Sequence, residues 1–240
     1  MMKAREWIRL YQNSCDLFLL HEVPKSFAEQ IANEPDTFLA VKDFQGLLPY
    51  NTNKRSCPVF YTVAIFKKDS YTYSDYYKDN LKYTFKTPGG GYQNRVIGLI
   101  SKEKTDEIIV GVHSKLSEHE CALYFDSLIR LHQKMPCDKS IIYLGDFNAF
   151  TPGRNNKRKL YEFMSEGLVD FWLENGKSNS DTTTNYDTRV DYVLVTDKDF
   201  NNLNKKYEMF IDDSVRLNGL SDHSAIILKE RTPETKKTGD

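Results

Sequence analysis

The spacing of hydrophobic residues along the 240-residue chain alternates between helical and extended patterns, which predicts a mixed α/β protein. Four residues near the start follow the i, i+3, i+4, i+7 spacing of a helix packed on one face: Ala4, Trp7, Ile8 and Tyr11. Residues 16–21 then form a short, mostly apolar run that is typical of a strand buried on both faces. We expect a second helix after Pro24.

Between residues 59 and 113 the pattern becomes extended. Four runs there are rich in β-branched and aromatic residues, and they predict strands at 59–66, 70–77, 95–100 and 107–113. The run from Pro88 to Gly91 between them predicts a turn.

Helices and strands continue to alternate in the second half. Ser117 and Glu120 form a capping box ahead of a helical stripe of apolar residues. Further apolar runs predict strands at 141–144, 190–195 and 225–228, with a helix around 160–164. The charged segment 231–240 has no periodicity and predicts a disordered tail, which leaves residues 1–230 as a single domain.

Composition narrows the class of protein. The chain is 40% hydrophobic and its formal net charge is −1, so a core can form and any phosphate-binding surface must be a local patch. The four cysteines are scattered without a C-x-x-C pair, which favours reduced thiols and a cytoplasmic location. The charged N-terminus is not typical of a secretory signal, and no apolar run approaches the ~20 residues of a membrane span.

Polar residues stand where the predicted strands end. Asp146 and Asn148 directly follow the apolar run at 141–144 and Gly145, and the alternation of side chains points both to one side. A carboxylate and an amide that point together suit metal or water binding beside a phosphate. An Asx-rich turn is the alternative interpretation.

The other polar strand-end residues are compatible with the same site. Asp191 lies inside an apolar strand, where an unpaired carboxylate is costly, so it needs a donor such as an imidazole N–H. Asp222 and His223 precede the last strand, while Glu22 and His113 end earlier ones. Each alone is more often a cap or a satisfied terminal residue, but strand ends at one edge of a sandwich converge.

The order of these motifs resembles the endonuclease/exonuclease/phosphatase superfamily, and its deoxyribonuclease-I-like branch in particular. The matching pieces, over roughly residues 16 to 229, are LLHEV with Glu22, NRVIGLI with Arg95, VGVHS with His113, LGDFNA with Asp146 and Asn148, GLVDFW, RVDYVLV with Asp191, and SDHSAIIL with Asp222 and His223.

The resemblance implies a role for each matched residue. Glu22 is similar to the principal Mg²⁺ ligand and Asp222 to a second or outer ligand, while Asn148 and Arg95 are similar to substrate-binding residues. Asp146 is similar to the residue that positions or deprotonates the attacking water, and His113 to the histidine that assists the leaving group. His223 is similar to a base or phosphorane stabiliser, and Asp191 to the residue that orients it. Mg²⁺, or Mn²⁺ in its place, suits such a site because hard cations prefer oxygen ligands and keep several waters.

The resemblance implies a nuclease acting on DNA or RNA. His113 followed by Ser114 is similar to the deoxyribonuclease-I-like pattern and favours a general nuclease. Four basic residues after the GDFNA motif predict contacts to nucleic-acid phosphates, unless they form a solvated helix start: Arg154, Lys157, Arg158 and Lys159. A phosphoinositide phosphatase or sphingomyelinase, and a non-enzymatic binding protein, stay open as alternatives.

The resemblance also implies a four-layered α/β sandwich of two mostly antiparallel sheets flanked by helices. The superfamily opens with a strand that carries an active-site Asn, and here Met1 falls in what resembles the helix after it. We expect the unpaired edge to be covered by residues 42–58, by a partner chain or by self-association.

Overall fold

The fold was described from a computed structural model, in which the described residues are 2–11, 15, 17–24, 26–27, 38–47, 59–67, 71–73, 96–101, 106–114, 118–149 and 155–231. The helices are α1 (Met2–Tyr11), α2 (Glu118–His132), α3 (Asn155–Met164), α4 (Phe171–Glu174), α5 (Asp197–Lys206) and α6 (Ser214–Leu217). The strands are β1 (Leu17–Pro24), β2 (Phe38–Leu47), β3 (Val59–Lys67), β4 (Tyr71–Tyr73), β5 (Val96–Ser101), β6 (Glu107–His113), β7 (Ser140–Asp146), β8 (Leu168–Asp170), β9 (Asp191–Thr196), β10 (Tyr207–Asp212) and β11 (Ala225–Glu230).

The largest sheet has six strands in the order β4-β5-β6-β7-β9-β8. Its pairs are antiparallel except for β6 and β7, which are parallel and are connected through α2. A parallel pair needs such a crossover because a tight turn cannot join two strands that run in the same direction.

The two faces of this sheet pack against different layers. Alternate residues, such as Tyr143 and Leu194, pack with α2 and α3 in a fully buried core. The intervening residues, such as Ile142 and Val193, pack against β10 and β11.

The second layer consists of two smaller sheets on that other face. One has the order β1-β3-β2 and the other pairs β10 with β11. The side chain of Leu19 on β1 lies against Gly111 of β6, where an added Cβ would be 3.1 Å from Leu19 Cδ1. The preceding residue, Phe18, packs towards Trp7 of α1. The layers are therefore helix, sheet, sheet and helix, which confirms the predicted four-layered sandwich.

The second layer is discontinuous within the described part of the chain. There β1 pairs only with β3, and β11 only with β10, so no described strand joins the two small sheets. The resemblance predicted an unpaired strand edge in one of the two sheets, and β1 and β11 each have one partner among the described strands. Residues 38–47 pair with β3 on the side away from β1. Residues 42–47 of the predicted covering segment 42–58 therefore do not lie beside β1, and residues 48–58 lie outside the described residues.

Most predicted elements are present at their expected positions among the described residues, and six elements were not predicted: β2, β8, β10, α4, α5 and α6. Arg231 was assigned to the disordered tail, but its Nε donates hydrogen bonds to Asn204 O and Tyr207 O at 2.9 and 3.0 Å. Among the described residues no helix has the length and apolarity to cross a membrane. The described cysteines, Cys15, Cys121 and Cys137, form no disulfide.

Candidate active site

The register of three neighbouring strands places three of the predicted site residues in one row. His113 on β6 is opposite Asp146 on β7, and Asp146 is opposite Asp191 on β9. Residues opposite each other point to the same face, which here is the face covered by the second layer. His113 Nε2 lies 3.4 Å from Asp146 Oδ2. The row is buried, with between 5% and 8% of each residue exposed.

The turn after β7 fixes Asn148 beside Asp146. Gly145 has a φ of +136°, and a Cβ there would lie 2.1 Å from Val112 O, so the close approach of β6 requires glycine. Asn148 has a φ of 50°, a left-handed conformation that asparagine tolerates better than most residues. Its Nδ2 donates to Asp146 Oδ2 at 3.0 Å and to Ser114 O at 3.1 Å. The amide therefore braces the carboxylate.

His223 and Asp191 form the predicted pair. His223 Nδ1 lies 3.0 Å from Asp191 Oδ2, although the two residues are 32 positions apart. Burial alone lowers the pKa of His223, but the hydrogen bond to Asp191 and the charges of Asp191, Asp146 and Asp222 outweigh it and raise the pKa to about 9. His223 is therefore an imidazolium at neutral pH.

The pKa of Asp146 is higher than that of an ordinary carboxyl group. Burial, the negative charge of Asp191 and that of Glu22 raise its pKa, and His223 and the Asn148 N–H only partly offset them. A carboxyl group with a raised pKa can accept a proton near neutral pH.

Glu22 reaches the row from the second layer. The pairing of β1 with β3 is irregular between Leu20 and Val23, and Glu22 has a φ of 53°. Such a bulge redirects side chains at the end of a strand. Glu22 Oε1 lies 4.0 Å from His113 Nε2, with 55% of its side chain exposed. The His21 ring contacts the His113 ring with centroids 5.1 Å apart.

Asp222 lies beside this group on the segment before β11. Its carbonyl accepts a hydrogen bond from Asn185 N at 3.0 Å, and the residue is exposed. Its charge contributes to the raised pKa of His223. The structure thus brings together seven predicted residues: Glu22, His113, Asp146, Asn148, Asp191, Asp222 and His223.

The acidic residues suit a hard cation, although they do not form a closed metal cage. Within the described residues no group of three or more His, Cys, Asp or Glu side chains is arranged to hold an ion. Mg²⁺ needs only one or two carboxylates because water and substrate phosphate supply its other ligands. The charges of Glu22 and Asp191 disfavour ionisation of Asp146. A cation near Glu22 would relieve that repulsion, so the donor set fits.

The described residues of the predicted basic patch, Lys157, Arg158 and Lys159, do not form a free phosphate-binding surface. Lys157 is only 6% exposed, and its Nζ donates to the Tyr192 hydroxyl. Lys159 forms ion pairs with Asp126 and Glu162, each at 2.7 Å. The prediction for Lys157 is therefore corrected to a structural role, because the lysine is enclosed by the core rather than turned to solvent.

Arg158 pairs with Glu162 as well, so its charge is also partly neutralised. Arg95 and Arg154 lie outside the described residues, and their predicted substrate contacts stay predictions.

Sequence reasoning missed the residues that hold the pair in place. Thr183 Oγ1 accepts hydrogen bonds from the backbone of Val190 and Asp191, and Thr184 forms an isolated β-bridge with His223. Arg216 donates to Ser224 Oγ at 3.2 Å and to Thr184 O at 3.3 Å. The run of three threonines before Asp191 gave no spacing signal that distinguishes it from a polar loop.

Comparison with known proteins was informative only at the level of structure. No protein-family model matches the chain, and no curated protein matches its sequence. The structure of D. rerio TDP2, humanized by 14 mutations, is similar with a TM-score of 0.61 and 13% identity, covering 96% of this chain and 90% of that one.

Two further structures are similar. An endonuclease/exonuclease/phosphatase family protein from Leptotrichia buccalis C-1013-b matches with a TM-score of 0.59 and 15% identity, covering 95% of this chain and 91% of that one. D. rerio TDP2 complexed with a single strand DNA product matches with a TM-score of 0.52 and 14% identity, covering 81% and 75%. The chain therefore has the fold of the endonuclease/exonuclease/phosphatase proteins, as the motifs predicted.

Proposed function

We propose that the chain is a divalent-metal-dependent phosphodiester hydrolase that cleaves nucleic acid, with DNA as its substrate. The row formed by His113, Asp146 and Asp191, with His223 hydrogen-bonded to Asp191 and Glu22 beside it, carries the proposal. The fold is one in which TDP2 was crystallised with a single strand DNA product, which supports nucleic acid as the substrate class.

The acidic residues would hold the ion. Glu22 would bind Mg²⁺ or Mn²⁺ directly, and Asp222 would act as a second or outer-sphere carboxylate. When bound, such an ion supplies positive charge to the phosphate oxygens and the leaving oxygen.

The buried residues divide the remaining chemistry between them. Asp146, whose pKa is raised, would take the proton of the attacking water, and Asn148 holds that carboxylate in place. His223 is already protonated at neutral pH, so it would stabilise the negative charge that develops on the phosphate rather than act as a general base. Asp191 orients that imidazolium, and His113 would assist the leaving oxygen from the other side of Asp146.

A cleavage panel tests this proposal. Supercoiled plasmid, single-stranded DNA, RNA and bis(p-nitrophenyl) phosphate are incubated with the chain in Mg²⁺, in Mn²⁺ and in EDTA. We expect cleavage with metal and none in EDTA. Asp146→Asn and His223→Ala should each lower kcat by about 10² to 10⁴, as expected for loss of a group acting on a proton or on developing charge.

Lys229→Gln is the matched control, because it removes a charge from an exposed ion pair with Glu208 on the β10-β11 sheet, outside the predicted basic patch. No metal-dependent cleavage of any of these phosphodiesters would contradict the proposal. Phosphoinositide and sphingomyelin are assayed in parallel, and hydrolysis of either of these lipids without cleavage of nucleic acid would favour the phosphatase or sphingomyelinase alternative instead.

A further inference from the structure

Two large apolar side chains are exposed on the segments that surround His223. Tyr186 is 75% exposed, and Leu217, the last residue of α6, is 77% exposed. Exposed apolar residues are ordinary when scattered, but these two belong to segments that are hydrogen-bonded to each other and to the candidate active site.

The loop of residues 183–188, which carries Tyr186, is attached to the His223 segment on both sides of the histidine. Thr184 forms the β-bridge to His223 itself. Ser224 N donates to Thr183 O at 2.8 Å, and Asn185 N donates to the carbonyl of Asp222. These hydrogen bonds hold the loop beside His223.

The same loop is also closed internally. Tyr186 N donates to Thr184 Oγ1 at 3.2 Å, and the hydroxyls of Thr184 and Thr188 lie 2.7 Å apart. Asp187, directly after the tyrosine, has a φ of 52°, a left-handed conformation that costs energy in a residue other than glycine. The backbone of Tyr186 is thus fixed before any ligand binds, which reduces the entropy lost on binding.

Arg216 connects α6 to this loop. Its Nη1 donates to Thr184 O, its Nε to Ser224 Oγ, and its Nη2 to Asp213 Oδ1 at 2.9 Å. Leu217 is the next residue on α6, so its backbone adjoins the arginine that is bonded to this loop.

The separation of Tyr186 from His223 is bounded by chain geometry. Bridge partners have Cα atoms about 5 Å apart, and two further residues span at most about 7 Å. The Tyr186 Cα therefore lies within about 12 Å of the His223 Cα, a length on the order of three nucleotides of one strand.

We propose that Tyr186 is a stacking platform for an unpaired base of the substrate strand, within a few nucleotides of the phosphate held beside His223. This inference rests on the proposed function and gives it a substrate class, single-stranded nucleic acid. An aromatic ring accepts any base because every base has a π-face, whereas in a duplex those faces are covered by the neighbouring pairs.

Binding measured in EDTA tests the inference without cleavage. The dissociation constant of a short, labelled single-stranded oligonucleotide is measured by fluorescence anisotropy at fixed salt. Tyr186→Ala should weaken binding about 5- to 150-fold, the range for losing one base–aromatic stack. Tyr186→Phe keeps the ring and should bind like wild type. Tyr161→Ala is the matched control, since Tyr161 is 55% exposed on α3, on the other face of the large sheet.

Altered oligonucleotides identify what the tyrosine contacts. On an oligonucleotide with the same backbone but abasic sites, wild type and Tyr186→Ala should bind equally, and the same holds for a blunt duplex. If Tyr186→Ala binds the normal single strand as tightly as wild type does, the inference is wrong but the proposed function still stands. The same holds if Tyr186→Ala loses as much affinity for the abasic strand or the duplex as it loses for the normal strand. If wild type neither binds nor cleaves nucleic acid, the inference and the proposed function fall together.

Discussion

At the scale of single residues, the charge state of the site is decided by two carboxylates on neighbouring strands. Asp146 and Asp191 are opposite each other in the register, and both are buried. The negative charge of Asp191 disfavours ionisation of Asp146. Asp191 is compensated by the His223 imidazolium, while Asp146 keeps the raised pKa. One carboxyl group is thereby suited to orientation and the other to proton transfer.

The first prediction is that the high pKa of His223 depends on Asp191. In Asp191→Asn, burial is no longer opposed by a paired charge, so the pKa should fall from about 9 towards the ordinary value of 6.5 or below. The measurement is an NMR titration of the histidine ring protons in EDTA, with the His223 signal assigned from its absence in His223→Gln. Asp126→Asn, whose carboxylate pairs with Lys159, should leave it unchanged.

The same shift predicts a pH-dependent contribution to stability. The folded state binds the His223 proton more tightly than the unfolded state does. Its contribution is therefore fully present below pH 6.5 and is lost as the pH rises through about 9. In urea denaturation, the decline between these pH values should be smaller in His223→Gln than in wild type. An identical decline in both proteins would place the responsible group elsewhere.

A further prediction is that Asp191 and His223 act as a unit in catalysis. Loss of either residue already disables the pair, so kcat of Asp191→Asn/His223→Ala should be little lower than that of His223→Ala alone. Multiplying losses would instead show that Asp191 acts separately from the histidine. The comparison uses DNA cleavage in Mg²⁺ at one pH.

At the scale of elements, a buried polar cluster joins α3, β8 and β9 behind the site. Arg189 pairs with Asp170, and its guanidinium also lies 4.3 Å from the centroid of the Tyr192 ring. Lys157 stacks on that ring at 4.8 Å, and Tyr192 OH donates to Ala149 O. Burial and the nearby Arg189 lower the pKa of Lys157 to about 8. The cluster supports the turn that presents Asn148.

The buried ion pair of this cluster should be far more important for stability than an exposed one. Arg189→Ala leaves the Asp170 carboxylate buried, although that carboxylate also caps α4 by accepting from Trp172 N. We expect a loss of about 3–5 kcal/mol in the free energy of unfolding, measured with urea. Arg158→Ala, which removes an exposed pair with Glu162, should cost about 0–1 kcal/mol. Equal losses would contradict this assignment.

Elements with a strong local pattern were predicted well. The stripe of α2 and the continuous apolar runs of β6, β7 and β9 follow directly from residue spacing. In contrast, β2 and β10 contain charged residues among their apolar ones, and α5 is largely polar. Tertiary pairing stabilises such segments more than local propensity does, so their spacing carried little signal.

At the scale of the whole molecule, the site exists only because the two layers pack together. Glu22 comes from β1, His223 from the segment before β11, and the row between them from the six-stranded sheet. Binding at Glu22 should therefore stabilise the packed sandwich, because a ligand that binds only the folded state adds to its stability.

The last prediction is that Mg²⁺ raises the thermal midpoint of wild type much more than that of Glu22→Gln. At a free concentration of 100 times Kd, the ion should contribute about 2.7 kcal/mol. Calorimetry should show the affinity of Glu22→Gln reduced about tenfold or more, a change of at least about 1.4 kcal/mol. Glu174→Gln alters an exposed glutamate on α4 and is the control. Equal affinities in wild type and Glu22→Gln would exclude Glu22 as a ligand.

The sequence by itself determined the chemical groups and the strands that carry them. Asp146 follows an apolar run and a glycine, so its place at a strand end was evident from local pattern. Asp191 was predicted inside an apolar strand and is the first residue of β9. Only the tertiary structure decided which groups meet. The opposition of His113, Asp146 and Asp191 depends on strand register, and the pairing of Lys159 with Asp126 depends on how α3 packs on α2. Lys157 is likewise enclosed rather than exposed. Residue spacing reports only a few neighbouring positions, whereas register and burial are set by contacts between segments far apart in the chain.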